Sequence, residues 1–356
     1  MKFSDPESAG NRKEVSDITC KEEKMKKHVF MSVFFIFAVA LTAAPAALAQ
    51  TVLKMGMGDA IDSDQGAFAI RFKEAVESLS GGKLKVELFP NGSLGSETEM
   101  LQNARRGTLD FAAIGVGNAV PFVPELGVLT MPYLLESHYD AIKATTGGMG
   151  QLMNEKSIEK GGFRILGWTY SNFRYVTNSK QPVRKLEDIK GMKIRVPHNN
   201  IILATFRGWG ANPVPMDWAE TFTALQQKVV DGQENPYIVN YTMKFHEVQK
   251  YITEVHYQYS LQPLLIGERK WKKLDKETQD ILIRAGIEAQ QYAIAYQILE
   301  AEKAKKGMQD AGVEVCYLED EEDWKKLARE KVWPQFYDFI GGKQNLDMVM
   351  QSLGKK

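Results

Sequence analysis

The stretch GMKIRVPHNN, residues 191–200, holds the side chain with the clearest chemical capacity in the chain, Arg195. A guanidinium offers two parallel N–H donors that match the two oxygens of a carboxylate. Met192, Ile194 and Val196 alternate around it, so a strand here buries those three on one face and turns Arg195 to the other. That second face is either open to water or the wall of a cleft, and spacing leaves both readings open. A second polar cluster, Asp231-Gly232-Gln233-Glu234-Asn235-Pro236, follows Val229-Val230. As the end of a strand it sits where open α/β sheets place ligands; as a local feature it is a hydrated turn. Between the two, Pro213 and Pro215 fix an extended segment, and Asp217 is placed to cap a following helix.

Other chemistries find no footing. Gly115-x-Gly117 after a strand has Val120 where a dinucleotide fingerprint needs its third glycine, and no Lys-Ser pair makes it a phosphate loop. Beyond the first 49 residues the histidines are His138, His198, His246 and His256, none spaced i,i+4 as zinc ligands. No G-x-S-x-G elbow is present. Glu319-Asp320 and Glu321-Glu322 open a charged helix and read as a solvated face.

The elements that must position Arg195 alternate. TVLKMGMG reads as a strand, and DQGAFAIRFKEAVESLSGG as a helix with Phe68, Phe72, Val76 and Leu79 at helical spacing. KLKVELFP is a strand; SETEMLQNARRG is a helix with Ser96 as N-cap and Glu99 in the capping-box position; LDFAAIG is the next strand. GFRILGWT, FRYVTN and the Arg195 segment are further strands, and NNIILATFRGWG and DWAETFTALQQKVV are helices. Asp275 to Met308 is one long helical pattern, and short helices around Trp324 and Asn345 close the chain. Strand–helix alternation of this kind predicts an α/β fold with a parallel-rich sheet. No linker-like tract occurs, so two lobes would be tied by several crossings of the chain.

MKKHVFMSVFFIFAVALTAAPAALAQ has a basic start, an apolar stretch from Val29 to Leu41, and an A-x-A site ending at Ala49. It reads as a cleaved secretory signal, with residues 1–49 forming an N-terminal extension plus signal peptide and the protein exported to a periplasm. Those residues carry 7 of 45 basic and 6 of 45 acidic side chains, leaving 38 against 39. A balanced, interspersed charge argues against nucleic acid as a partner. Cys20 leaves with the signal, so Cys316 in AGVEVCYL has no partner for a disulfide and reads as a small core residue.

GMKIRVP, NPVPMDWAETFTALQQKVVDGQENP, KVELFPNGSLGSETEML and GTLDF together resemble the solute-binding receptors of tripartite ATP-independent periplasmic (TRAP) transporters, over about Thr51 to Gly354. The resemblance implies a two-lobed periplasmic binding protein with a hinge and a long helix spanning both lobes. Lobe I would be residues 50–171 plus 261–300, and lobe II residues 172–260 plus 301–356. It implies a monomer without cofactor or metal that captures an organic acid for TRAP membrane subunits driven by a sodium gradient. Carried over by position, Arg195 is the carboxylate clamp, Arg174 a second ligand-facing arginine, Asn235 the ligand amide and Trp218 an aromatic packed on the ligand, with His198 on the same wall.

One departure from sugar-acid receptors of this type sets the expected ligand. The facing wall reads Gly58 and IGVGN, with Asn118 as its main polar group, while Trp168, Tyr170, Trp218 and Tyr237 offer aromatic surface. A hydroxyl buried without a partner costs about 1–3 kcal/mol, so the sequence favours a monocarboxylate with an apolar or aromatic tail over a uronate or C4-dicarboxylate. A ligand-sensing subunit, and an exported enzyme using Glu234 or His198 as base, are the rival functions.

Overall fold

A computed structural model describes Met25 and residues 50–355; the expected signal peptide and its cleavage site lie, Met25 apart, outside the described residues. β1 (Thr51–Met57), α1 (Asp64–Leu79), β2 (Leu84–Phe89), α2 (Glu97–Arg106) and β3 (Phe111–Ala113) follow the alternation read above. α1 forms because Ser63 caps it by accepting from Gly66 N, and because Phe68, Phe72 and Val76 share its buried face. α2 starts on the full Ser96/Glu99 capping box and stops at Gly107, which takes the left-handed conformation at φ 81°. Short helices α3 (Val116–Ala119), α4 (His138–Thr145) and α5 (Gly147–Lys156) lead to β4 (Phe163–Phe173) and then directly to β5 (Tyr175–Asn178).

The middle of the chain contributes β6 (Lys193–Val196), α6 (Asn200–Gly208), β7 (Asn212–Pro215), α7 (Thr221–Gln226), β8 (Gly232–Asn235), α8 (Tyr237–Thr242), β9 (Tyr251–Glu254) and β10 (Tyr259–Gly267). α9 (Glu268–Trp271), α10 (Lys276–Asp310), β11 (Glu314–Tyr317), α11 (Glu321–Leu327), α12 (Trp333–Phe336) and α13 (Lys343–Leu353) complete it. The strands form two sheets, ordered β2-β1-β3-β10-β4 and β11-β9-β5-β8-β6-β7. Both are mixed. β1 runs parallel to β2 and β3, but β10 is antiparallel to β3 and β4. The cause is topological: β4 leaves the first sheet at the C-terminal end of its parallel strands, and β10 re-enters through that same end. Both chain crossings, Phe173 to Tyr175 and Glu254 to Tyr259, therefore lie where β1 and β3 finish.

Two local expectations are corrected. DWAETFTALQQKVV is a 3-10 turn over Trp218–Glu220 followed by α7 alone, and the Asp217 side chain makes no capping bond. α7 ends early because Lys228 adopts φ 59°. The polar cluster expected at the end of a strand is instead the strand β8 itself, buried along its whole length. It tolerates burial because its side chains are paired: Gln233 Nε2 donates to Thr177 Oγ1 and to Asn240 Oδ1, each at 2.8 Å.

α10 runs for 35 residues from its Asp275 cap. Its first half packs on α1 and β4 and its second half on α8, so one helix braces both sheets. Two glycines permit the approach. A Cβ on Gly286 would stand 2.0 Å from the Leu166 carbonyl oxygen of β4, and one on Gly307 would stand 2.6 Å from the Tyr241 ring. Cys316 is fully buried on β11. Helix propensity alone predicts that Gly286→Ala stabilises by about 1 kcal/mol. The backbone contact reverses the sign, and we expect a loss of about 1–3 kcal/mol in urea unfolding; an unchanged or raised midpoint would refute the tight helix–strand packing.

Candidate functional site

The C-terminal ends of β1 and β3 face the second sheet across a polar cavity. The second sheet supplies Arg195 and Asn235, the turn after β7 supplies Trp218, and the crossing between β4 and β5 supplies Arg174; the facing wall supplies Asp59, Glu97, Asn118 and the β10 residues Ser260 and Gln262. This is the edge where strand ends leave backbone groups free to meet a ligand.

Arg195 settles the alternative left open by its spacing. β6 lies between β7 and β8, and Arg195 is 2% exposed, so its face is the cavity wall and not open water. Nε and Nη2 both donate to the Met216 carbonyl, at 3.1 and 2.7 Å, and the Trp218 ring centre lies 5.4 Å from Cζ. These contacts fix the plane of the guanidinium and leave the Nη1–Nη2 edge without a protein acceptor. No carboxylate among the described residues forms an ion pair with it. Burial, assisted by the charge of Arg174, pushes it down to about 10, which still leaves a cation at neutral pH.

Arg174 behaves differently. It stands between β4 and β5, opposite Glu234 of β8, and the two form a bidentate pair: Nε donates to Oε2 and Nη2 to Oε1 at 2.8 Å. Nη2 also donates to the Glu234 carbonyl at 2.9 Å, while Nη1 reaches Ser260 Oγ at 3.2 Å. Burial alone would push this guanidinium down, but the Glu234 charge and bonds hold it above its ordinary value. Arg174 lines the cavity, but with its charge already compensated. Glu234 is fully buried and also accepts from Tyr257 Oη, so three of its roughly four lone-pair sites are taken.

The facing wall is acidic. Glu97 opens α2 and accepts from Gly115 N at 3.2 Å and from Asn118 Nδ2. Asp59, just past β1, accepts from Gln262 Nε2 at 3.1 Å. Burial raises Asp59 to about 6; burial and the Asp59 charge raise Glu97 to about 7. Among the described residues no group of three His, Cys, Asp or Glu side chains is placed to hold a metal ion.

Of the expected site residues, Arg195, Arg174, Asn235, Trp218 and Asn118 meet at the cavity. Gly58 acts indirectly: a Cβ there would stand 2.5 Å from Glu97 Oε1, so the glycine makes room for that carboxylate. His198 does not share the Arg195 wall. It is exposed, 3.6 Å from Asp217 Oδ1, in an outer groove beside the cavity, because the chain turns outward after Pro197. Tyr237 does not line the cavity either; α8 carries it into the core, where its ring packs at a tilt against Tyr175 and its hydroxyl donates to Glu254 at 2.9 Å. Trp168 and Tyr170 are core as well, with Tyr170 Oη bonded to Thr145. Sequence reading missed Asp59, Glu97, Gln262 and Ser260. Asp59 carried a usable signal, its place immediately after the first strand; Glu97 was disguised as an ordinary first-turn acid of a helix.

Comparison with known proteins agrees with this geometry. Residues 55–338 match the family described as bacterial extracellular solute-binding protein, family 7. The chain is 33% identical over 283 residues to the 2,3-diketo-L-gulonate-binding periplasmic protein of Escherichia coli, covering 79% of this chain and 86% of that one. Its fold matches a TRAP periplasmic solute-binding protein from Bordetella bronchispeptica, whose density was interpreted as pantoate, with TM-score 0.81 and 33% identity over 85% of this chain and 99% of that one. It also matches the sugar acid binding protein of Advenella mimigardefordensis in complex with galactonate, with TM-score 0.81 and 31% identity over 86% and 98% of the two chains. With two sheets meeting at a cavity, a helix bracing both, and a family match across most of its length, the chain belongs to the two-lobed solute-binding receptors of TRAP transporters, a family of receptors and not of enzymes.

Proposed function

We propose that this protein is a periplasmic receptor that closes on a hydroxylated organic monoacid, clamping its carboxylate on Arg195, and delivers it to a TRAP membrane carrier. The observation that carries this reading is a fully buried arginine with no carboxylate partner, oriented by Met216 and Trp218 in a polar cavity. A charge so placed is stabilised when an anion replaces water at its free edge. Arg174 Nη1 and the Asn235 amide border the same space and supply further polar contacts.

The wall expected to be bare is not bare, and this changes the preferred ligand. Asp59, Glu97, Asn118, Gln262 and Ser260 offer acceptors and donors for hydroxyls, whereas of the aromatics invoked for an apolar tail only Trp218 borders the cavity. A second carboxylate, as in a C4-dicarboxylate, would lie against Asp59 and Glu97. An aldonate, uronate or similar hydroxy acid fits this wall better. The names of the relatives, which mention diketo-gulonate, pantoate and galactonate, support the same class.

In this reading the hinge is made by the crossings at Phe173–Tyr175 and Glu254–Tyr259 together with α10. Lobe I then comprises residues 50–171 plus 261–300, lobe II residues 172–260 plus 301–356, and the exported chain acts as a monomer after cleavage near Ala49.

Arg195→Ala is expected to abolish binding with the fold retained, since losing one partner of a buried charge pair costs about 2–5 kcal/mol. Arg195→Lys should be nearly as harmful, because an ammonium cannot reproduce the planar fork. Full-affinity binding by either variant in calorimetry would remove Arg195 from the site. In a thermal-shift panel, galactonate, erythronate, pantoate and glucuronate are expected to include the strongest stabiliser. Stabilisation by succinate alone, or by aromatic acids alone, would overturn the hydroxy-acid assignment.

A further inference from the structure

We propose that anion capture in this cavity is coupled to uptake of a proton by the wall formed by Asp59 and Glu97. The inference rests on the receptor reading above and adds a second, chemically distinct co-ligand to it. Its basis is a count of buried charges. Arg174 is cancelled by Glu234, which leaves Arg195 as the one cation without an ion-pair partner among the described residues that line the cavity. Against it stand Asp59 and Glu97, 3% and 8% exposed. Ionised throughout, this set carries one net negative charge before any ligand enters. A bound carboxylate would make that two, in a space where charge is poorly screened. One proton on the acidic wall restores the balance of the empty cavity, and a second brings the occupied cavity to neutrality.

A third carboxyl reinforces the argument. Asp64, at the start of α1 behind Asp59, is 1% exposed, with the Ser171 hydroxyl beside it. Burial favours the neutral acid at Asp64 over its carboxylate, and the charge of Asp59 adds to that preference. The groups facing these carboxyls from every side are few. Arg174 and Gln262 face Asp59; Arg195, Gly115 N and Asn118 face Glu97; the hydroxyls of Tyr259 and Tyr296 lie near Asp64. Asp217 and Glu234 act on Arg195, and His198 lies outside, on the exposed side of Asp217. No lysine is among them. Burial raises Asp59 to about 6, and burial with the Asp59 charge raises Glu97 and Asp64 to about 7, so these protons are exchangeable near neutrality.

The sign follows. A bound anion favours the protonated wall, so affinity is greatest below the carboxyl pKa values and falls as pH rises through them, about tenfold per pH unit for one linked proton. The test is titration calorimetry on the exported protein with galactonate, or with whichever acid of the panel binds most tightly, in two buffers of different ionisation enthalpy at pH 7.5. We expect about one proton taken up per acid bound and roughly tenfold weaker binding at pH 8.5 than at pH 7.5. Glu97→Gln and Asp59→Asn are each expected to lower the proton count and flatten the pH profile. Binding with no proton uptake and a constant affinity from pH 6.5 to 8.5 would overturn the proposal while leaving the receptor reading intact. Charge compensation by sodium, seen as sodium-dependent affinity without proton uptake, would overturn it equally. Failure of every acid to bind would overturn the receptor reading and this inference with it.

Discussion

The guanidinium of Arg174 and the carboxylate of Glu234 cancel one another inside the second sheet, and the rest of the site depends on that cancellation. Arg174 immediately precedes β5 and Glu234 lies on β8, and these strands pair antiparallel, with Tyr175 opposite Asn235 and Val176 opposite Glu234. Breaking such a buried pair by removing one partner typically costs about 3–5 kcal/mol, so the pair locks β5 to β8 at the point where the chain crosses between the sheets. It also occupies Glu234, the acid whose charge acts most strongly on Arg195. With Glu234 held by Arg174 and Tyr257, Arg195 keeps a guanidinium edge without an ion-pair partner, and a binding site for a carboxylate results from what the pair leaves unpaired.

Topology places that cation. Because β4 exits and β10 re-enters at the C-terminal end of β1 and β3, the shortest connections between the sheets border the cavity. α10 is the third tie, and its close approaches at Gly286 and Gly307 hold it against both halves. Short crossings between two sheets are what the proposed hinge would require. A ligand that bridges Arg195 on one side and the Asp59/Glu97 wall on the other would hold the two halves together across it.

The sequence made the strand–helix order, the capping box at Ser96 and Glu99, and the long terminal helix legible, since each rests on contacts within a few residues. β10 escaped, because YSLQPLLIG is buried on both faces and shows no alternation. β8 was misplaced because its polar side chains looked like a turn and are made tolerable only by partners such as Thr177 and Asn240. The two arginines show the limit most clearly. Arg174 and Arg195 are the same residue in similar short strand contexts, and only a glutamate 60 positions from Arg174 makes one a structural ion pair and the other a free clamp. Tyr237 and His198 fail for a related reason: closeness in sequence to a site residue does not fix which way the backbone turns next.

The way Arg195 is anchored narrows what it can hold. Met216 occupies the Nε–Nη2 edge, so the edge facing the cavity is Nη1–Nη2, whose donors are parallel and match the spacing of the two oxygens of a planar carboxylate. A tetrahedral phosphate dianion would gain the same two bonds, but its second charge and third oxygen would fall toward the acidic side chains of Asp59 and Glu97. A hydroxyl in that position meets acceptors instead of repulsion. The cavity therefore discriminates by sign along its length, accepting negative charge at one end and hydrogen-bond donors at the other, and the same polarity that selects a hydroxy acid over a dianion makes the acidic wall sensitive to its own protonation.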